Sequence, residues 1–234
     1  MSSLPIGFIL TLAAIFFSFQ PNTFHLFVNY HSIVLVVFGT FGILLFTTPM
    51  GTLKTLWSAS WDLFRRDHDL SDHIRELKEL AETRTTHSEN SLIKYAMELW
   101  AQGVSPNFFI SLLSQKRESQ DQQYTKAIQA LKNLAKYPPA LGMTGTVIGL
   151  VSLFANLGVD NKASIGPSLA LAMTATFFGL IMANGLVMPL SDRLIVHQIK
   201  VQEYNNEIYQ ILIMINHNEP VTLIEDEVKY RAAA

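Results

Sequence analysis

The chain has 234 residues, 49% hydrophobic and only 15% charged, where an average soluble protein carries about 25% charged residues. Its formal net charge is −2 and it has no cysteine. That balance gives nucleic-acid binding no electrostatic support, and the missing thiols exclude disulfides, thiolate metal sites and cysteine nucleophiles.

The charge is missing from blocks, which is the pattern of a membrane protein. The first block, residues 4–19, reads as a short membrane helix rather than a cleavable signal peptide. No Lys or Arg precedes Lys54, and the Phe16–Phe19 end is too bulky for a cleavage site. Residues 23–30 form a brief aromatic turn suited to an interface. The second block, residues 32–48, ends at Pro49 and completes a hairpin with the first. Residues 54–137 read as helical throughout. Trp57, Trp61 and Phe64 share one face of the first segment, which lies along the membrane surface or continues the second span. Ser71 and Ser88 are the expected caps of two amphipathic helices, the second stopping at Gly103. Ser105-Pro106 opens a longer helix that runs to Tyr137 and is interrupted by Pro138-Pro139.

Residues 138–190 hold the most distinctive pattern, two uncharged arms of about twenty residues, the length needed to cross a hydrocarbon core. The only charged residues between them are Asp160 and Lys162. On the first arm Gly142, Gly145, Thr146, Gly149, Ser152 and Asn156 share a helix face. On the second, Ser168, Ala172, Thr176, Gly179 and Ala183 do the same. Small residues let helix backbones approach closely in lipid. Two readings stand: the stripes pack helices, or they face a lumen occupied by another helix or an ion. After Pro189 a long helix runs to Glu219-Pro220, followed by a short closing helix.

The expected architecture is therefore all-α and polytopic, with four spans. It divides into a first hairpin (1–53), a cytoplasmic helical region (54–137), a second, pore-lining hairpin (138–190) and cytoplasmic C-terminal helices (191–234). Of 17 basic residues, 12 lie in 54–137 and four follow Pro189. The positive-inside rule puts both regions, and both termini, in the cytoplasm.

Little in the chain could act as an enzyme. The seven histidines show no metal-ligand spacing, and neither a Walker A motif nor a GxSxG motif is present. No Asp, Glu, Lys, Arg or central His occurs in any of the four apolar blocks. Proton carriage through a bilayer normally needs an ionisable group there. The blocks offer hydroxyls and amides instead: Thr146, Ser152, Thr174, Thr176 and Asn184. Any titrating group must come from a partner.

The second hairpin resembles the A-subunit of flagellar stators and the wider MotA/TolQ/ExbB superfamily. The matching motifs are Pro139-Ala140-Leu141-Gly142-Met143, Gly145-Thr146, Gly149-Leu150, and Gly166-Pro167 followed by Ala170, Ala172, Thr176, Gly179 and Pro189. The stretch SIVLVVFGTFGILL before Met50-Gly51 and the tail from Asn218-Glu219-Pro220 are also similar. Four spans favour the stator branch, because TolQ and ExbB relatives have three. The resemblance implies a bacterial inner-membrane homo-oligomer, a pentamer, around single-span B-subunits. Each B-subunit carries a membrane Asp and a peptidoglycan-binding domain, and the A-subunits push on a flagellar rotor. It also implies that Thr146 and Thr176 line the ion pathway and that Pro139 and Pro189 shape the movement, although kinks at a membrane edge are an equal reading of the prolines.

Two further points follow from the resemblance. Flagellar A-subunits carry an Arg followed by a Gly-Leu-Leu-Glu-like run on the rotor-facing helix, and that run is absent from residues 75–90. Arg75, Glu76, Lys78, Glu79 and Arg84 are read there as a solvated face with i,i+3 and i,i+4 pairs. A non-flagellar envelope machine (gliding, import or defence) is therefore the alternative reading. Sodium-driven members carry adjacent threonines where this chain has Ala175-Thr176, so the expected ion is the proton, with no other cofactor. Thr174 projects about 200° from Thr176 and is expected to face a neighbouring helix.

Overall fold

The computed structural model describes residues 6–7, 9–10, 13–14, 17, 29–63, 74–88, 90–156, 165–220 and 222–223. All regular structure among them is helical. Among the described residues three helical stretches are long and apolar enough to cross a bilayer: Tyr30–Thr47, Pro106–Ala155 and Ile165–Asn216. The fourth expected span, residues 4–19, and the turn at 23–30 lie largely outside the described residues, as do Phe64 and Ser71.

The described residues form two compact units. The first comprises residues up to Lys54 together with Ala127–Arg193. Its helix α1 spans Tyr30–Thr47 and starts at Asn29, whose side chain accepts the Ser32 N–H at 3.3 Å. It ends at Thr48 because Pro49 follows, and the residue before a proline is pushed out of the helical region. Ser32, Val36 and Thr40, four apart, are buried. Phe38, Phe41, Leu45 and Phe46 point outward, an arrangement suited to lipid and not to water. Helix α2, Met50–Asp62, buries Leu56 and Ala59 and exposes Trp57 and Trp61.

The second unit comprises Thr55–Lys126 and the residues from Leu194 onward. Helix α3 is Ile74–Thr83, α4 is Ser91–Ala101, and α5 is Pro106–Leu134, whose first part lies in this unit. Its core is built of Leu77 and Leu80 from α3, Leu92, Ile93, Ala96 and Leu99 from α4, Phe109 and Leu113 from α5. Ile208, Ile211, Leu212 and Ile215 complete it from the last helix. Burying each Leu, Ile or Phe contributes about 1.5–3 kcal/mol. The cap of α4 is Asn90 rather than the expected Ser88. The Asn90 side chain accepts the N–H groups of Leu92 and Ile93, while Ser88 Oγ accepts the N–H of Asn90. Asn at this position satisfies two orphan donors at once. Gly103 closes α4 at φ +66, a left-handed backbone that glycine adopts without strain.

Helix α6 spans Tyr137–Asn156. The expected interruption at Pro138-Pro139 comes earlier, at Ala135 and Lys136. The prolines sit in the first turn of α6, where no N–H is needed. Helix α7 is Ile165–Leu180. It passes through seven residues of π-helix, Ile181–Val187, into α8, Met188–Asn216. Pro189 therefore follows the π-helical turn, and the helix does not break there. In the first unit α6 and α7 pack along their lengths and α1 lies against both.

Candidate functional site

The two small-residue stripes meet each other inside one chain. A Cβ on Gly142 would stand 2.8 Å from the Ala175 carbonyl oxygen and 2.9 Å from the Thr176 Cα. One on Gly145 would collide with the Ala175 Cβ, and one on Gly149 would stand 2.7 Å from the Ser168 carbonyl oxygen. One on Gly179 would stand 2.5 Å from the Pro138 carbonyl oxygen and 3.2 Å from the Pro139 Cα. Gly142, Gly145, Gly149 and Gly179 thus let the two helix backbones touch. Ala183, one turn further, is buried in the π-helical turn. Of the two readings of the stripes, helix packing describes this contact.

Thr146 and Thr176 come together at the crossing, their hydroxyl oxygens 2.6 Å apart. The carbonyl oxygen of Gly142 lies 3.1 Å from Thr146 Oγ1 and 3.3 Å from Thr176 Oγ1, and that of Ala172 lies 3.2 Å from Thr146 Oγ1. Each hydroxyl has one proton. One threonine donates to the other, and the second donates to a carbonyl. Both protons are then engaged within the chain and only lone pairs face outward. The half-buried pair can accept from water or a protonated acid, or ligate a cation. It cannot donate to a carboxylate without giving up an internal bond. A second hydroxyl pair lies along the same helices, where Ser168 donates to Ser152 at 3.2 Å.

Ala175 does not stand beside the Thr176 hydroxyl. It is fully buried against Gly145, so its missing hydroxyl is missing from a helix contact. Thr174 turns the other way. Its hydroxyl lies 2.6 Å from the Ala170 carbonyl oxygen and 2.7 Å from the Ser32 hydroxyl of α1, which itself lies 3.2 Å from the Leu171 carbonyl oxygen. Asn184 is exposed and donates to the Leu180 carbonyl at 3.2 Å. The Asn156 side chain lies outside the described residues.

The second unit holds a cluster that sequence reasoning missed. Arg84 is not on a solvated face. Its guanidinium lies 4.8 Å from the centre of the Trp100 ring and donates to the Asn218 side chain. Trp100 stacks on Phe109 and donates from Nε1 to Asn216 at 3.1 Å. Arg84 and Asn218 both have left-handed backbones, at φ 62 and φ 57. Burial lowers the Arg84 pKa, though a guanidinium stays charged at any physiological pH. Arg117 likewise lies over Tyr209, at 4.4 Å, and donates to Asn206 at 2.6 Å. Sequence spacing could not reveal these pairs, because Arg84 and Asn218 are 134 positions apart. The side chains of Arg75 and Lys78 lie outside the described residues. Glu79, on the same helix, is exposed and accepts from the Thr86 hydroxyl.

Known proteins resemble this chain in sequence and in fold. The chain is 29% identical to Motility protein A of Borreliella burgdorferi over 85% of its own length and 77% of that protein's. It is 26% identical to Chemotaxis protein PomA of Vibrio alginolyticus over 72% and 70% of the two lengths. A structure of C. jejuni MotAB superposes with a TM-score of 0.79 at 20% identity, covering 98% of this chain and 95% of that one. Residues 84–207, just over half the chain, match the family model described as the MotA/TolQ/ExbB proton channel family. That segment includes the whole α6–α7 crossing with its threonine pair, and the chain belongs to the MotA/TolQ/ExbB proton channel family.

Proposed function

We propose that this chain is the A-subunit of a flagellar stator, a membrane subunit that works with a single-span B-subunit to turn ion flow into rotation. The observation that carries the reading is the Thr146–Thr176 pair, set between two membrane arms without a charged side chain. The pair offers acceptors and the membrane blocks offer no titrating group, so the carboxyl that accepts the ion belongs to the partner. Relatives named for motility and chemotaxis, and structural matches that are MotAB complexes, support the same reading.

In this reading several copies, a pentamer, close around the B-subunits in the bacterial inner membrane, with both chain ends cytoplasmic. Closed symmetry lets one patch be reused by every copy. The transported ion is the proton. The support is the Ala175-Thr176 pair, where sodium-driven members of the family carry adjacent threonines; the Ala175 side chain itself packs on Gly145.

The decisive experiment is purification in mild detergent from the native host, followed by native mass measurement and a swimming assay. The expected result is a pentamer holding a single-span protein with a membrane Asp, and swimming lost in Thr176→Ala with the assembly intact. Swimming should persist without sodium and stop when a protonophore collapses the proton gradient. A monodisperse monomer, or activity that follows sodium at a fixed proton gradient, would overturn the assembly or the ion assignment respectively. Reporters fused at Gly158 and Gln115 should be periplasmic and cytoplasmic.

One observation favours a second reading, an energiser of a non-flagellar envelope machine. Arg84, the arginine nearest the missing rotor-type run, is folded onto Trp100 and Asn218. A deletion strain that swims normally and loses gliding, import or defence would select this alternative.

A further inference from the structure

The buried face of α7 and the start of α8 returns at Ser168, Ala172, Ala175, Gly179, Ala183, Val187 and Ser191. That is six turns in 23 residues, whereas an α-helix at 3.6 residues per turn needs about 21.6. The surplus is one residue, and it is held in the π-helical turn Ile181–Val187, where the Met188 N–H reaches back five positions to the Ala183 carbonyl. Single π turns inside α-helices are rare and gather at functional sites.

Four features bear on this turn. On its N-terminal side Gly179 is locked against the Pro138 and Pro139 backbone, which fixes the rotation of α7. Within it, Asn184 donates its side-chain N–H to the Leu180 carbonyl at 3.2 Å, a side-chain bond that braces the start of the wide turn. On its C-terminal side Pro189 has no N–H, so the carbonyl one turn earlier receives no backbone donor from it in either register. Beyond that, the Ser191 hydroxyl is buried, at 1% exposure, and has no hydrogen-bond partner among the described residues. An unpaired buried hydroxyl is unfavourable. The wide register is thus supported by Asn184 and opposed by Ser191.

We propose that the π-helical turn Ile181–Val187 is a moving part of the molecule. When it tightens to i→i+4 bonding, the residues after Val187 turn about the helix axis by about 100° and the helix lengthens by about 1.5 Å. Gly179 holds α7 still, so the rotation is delivered to α8, and it carries Ser191 off the face on which its hydroxyl is stranded. The turn stores one residue of helix and releases it as rotation without melting any hydrogen-bonded segment.

The test is a distance measurement, so it stands apart from any motility assay. The chain has no cysteine, and Met173 and Asp192 are exposed. Spin labels on cysteines at these two positions, in full-length chains diluted with unlabelled ones and reconstituted in liposomes, report on the turn directly. The wild-type sequence should give two distance populations separated by on the order of 5 Å, from the rotation of a label standing about 5–6 Å off the helix axis. Deleting Gly185 removes the surplus residue while keeping the buried face in phase, and should leave one narrow population. Asn184→Ala should shift the ratio towards the tightened register, and decides the matter should the deletion variant fail to fold. A single narrow wild-type population, or one unchanged by Asn184→Ala, overturns the proposal.

Discussion

The carbonyl oxygen of Pro138 occupies the place where a side chain on Gly179 would begin, 2.5 Å from its ideal Cβ position. The obstacle is backbone, which cannot swing away as a flexible side-chain end can. Gly179→Ala should therefore destabilise the hairpin by about 1–3 kcal/mol, the usual range for overpacking. Gly166→Ala, with nothing within 4 Å, should be neutral or stabilising by up to about 1 kcal/mol. Thermal melts of the two variants in the same detergent compare them directly, and equal melting temperatures would contradict the close helix contact.

The Ser32–Thr174 bond joins α1 to α7 across 142 positions of sequence. Hydroxyl pairs between membrane helices are worth about 0.6 kcal/mol on average and at most about 1.7. A double-mutant cycle with Ser32→Ala and Thr174→Val should give a coupling energy in that range. The same variants should leave any sodium response unchanged, because Thr174 faces α1 and not Thr176. A coupling of zero removes the bond from the account.

At Arg84 two effects oppose each other. The left-handed backbone disfavours any side chain, by roughly 1–2 kcal/mol, while the guanidinium over Trp100 contributes about 0.5–2 kcal/mol. Arg84→Gly loses the contact and relieves the backbone, so it should be close to neutral. Arg84→Ala loses the contact with no relief and should be the less stable of the two. Trp100 fluorescence during unfolding reads both, and the reverse order would refute the strain at this residue.

Burial raises the Asp121 carboxyl above its ordinary value, and the nearby Arg117 opposes that shift in part. A carboxyl whose folded pKa lies above its unfolded one favours the folded state at low pH. Its contribution is lost as pH rises from the unfolded value through the folded one. Asp121→Asn should therefore be at least as stable as the wild type at neutral pH, with the advantage gone below the carboxylate range. Melting temperatures across that interval check the sign.

Membrane-scale features were legible in the sequence because they depend on runs. The apolar blocks, the stop at Pro49 and the stripes of small residues follow from length, proline geometry and helical spacing. That Thr174 and Thr176 face different neighbours followed from 100° per residue. Features that depend on a partner distant in the chain were not legible. Nothing local marks Arg84 for Trp100 or Ser32 for Thr174. The cap at Asn90 was missed because Ser88 is an equally good cap by type, and only the backbone angles separate them. The π-helical turn left a trace in the sequence, since Gly179 and Ala183 stand four apart with Val187 and Ser191 continuing the interval. Reading three successive intervals of four as a surplus residue requires knowing that all four positions are buried.

Helix α1 has 18 residues between Asn29 and Thr48, which at about 1.5 Å per residue gives a rod of about 27 Å. A typical hydrocarbon core is about 30 Å thick. The rod is slightly short for such a core even when upright, and any tilt shortens its projection. A helix of this length is matched by a slightly thinner bilayer or by polar groups at its two ends, and Asn29 and Thr48 stand at those ends. Because Ser32 bonds Thr174, a displacement of α1 along the membrane normal would be shared with α7.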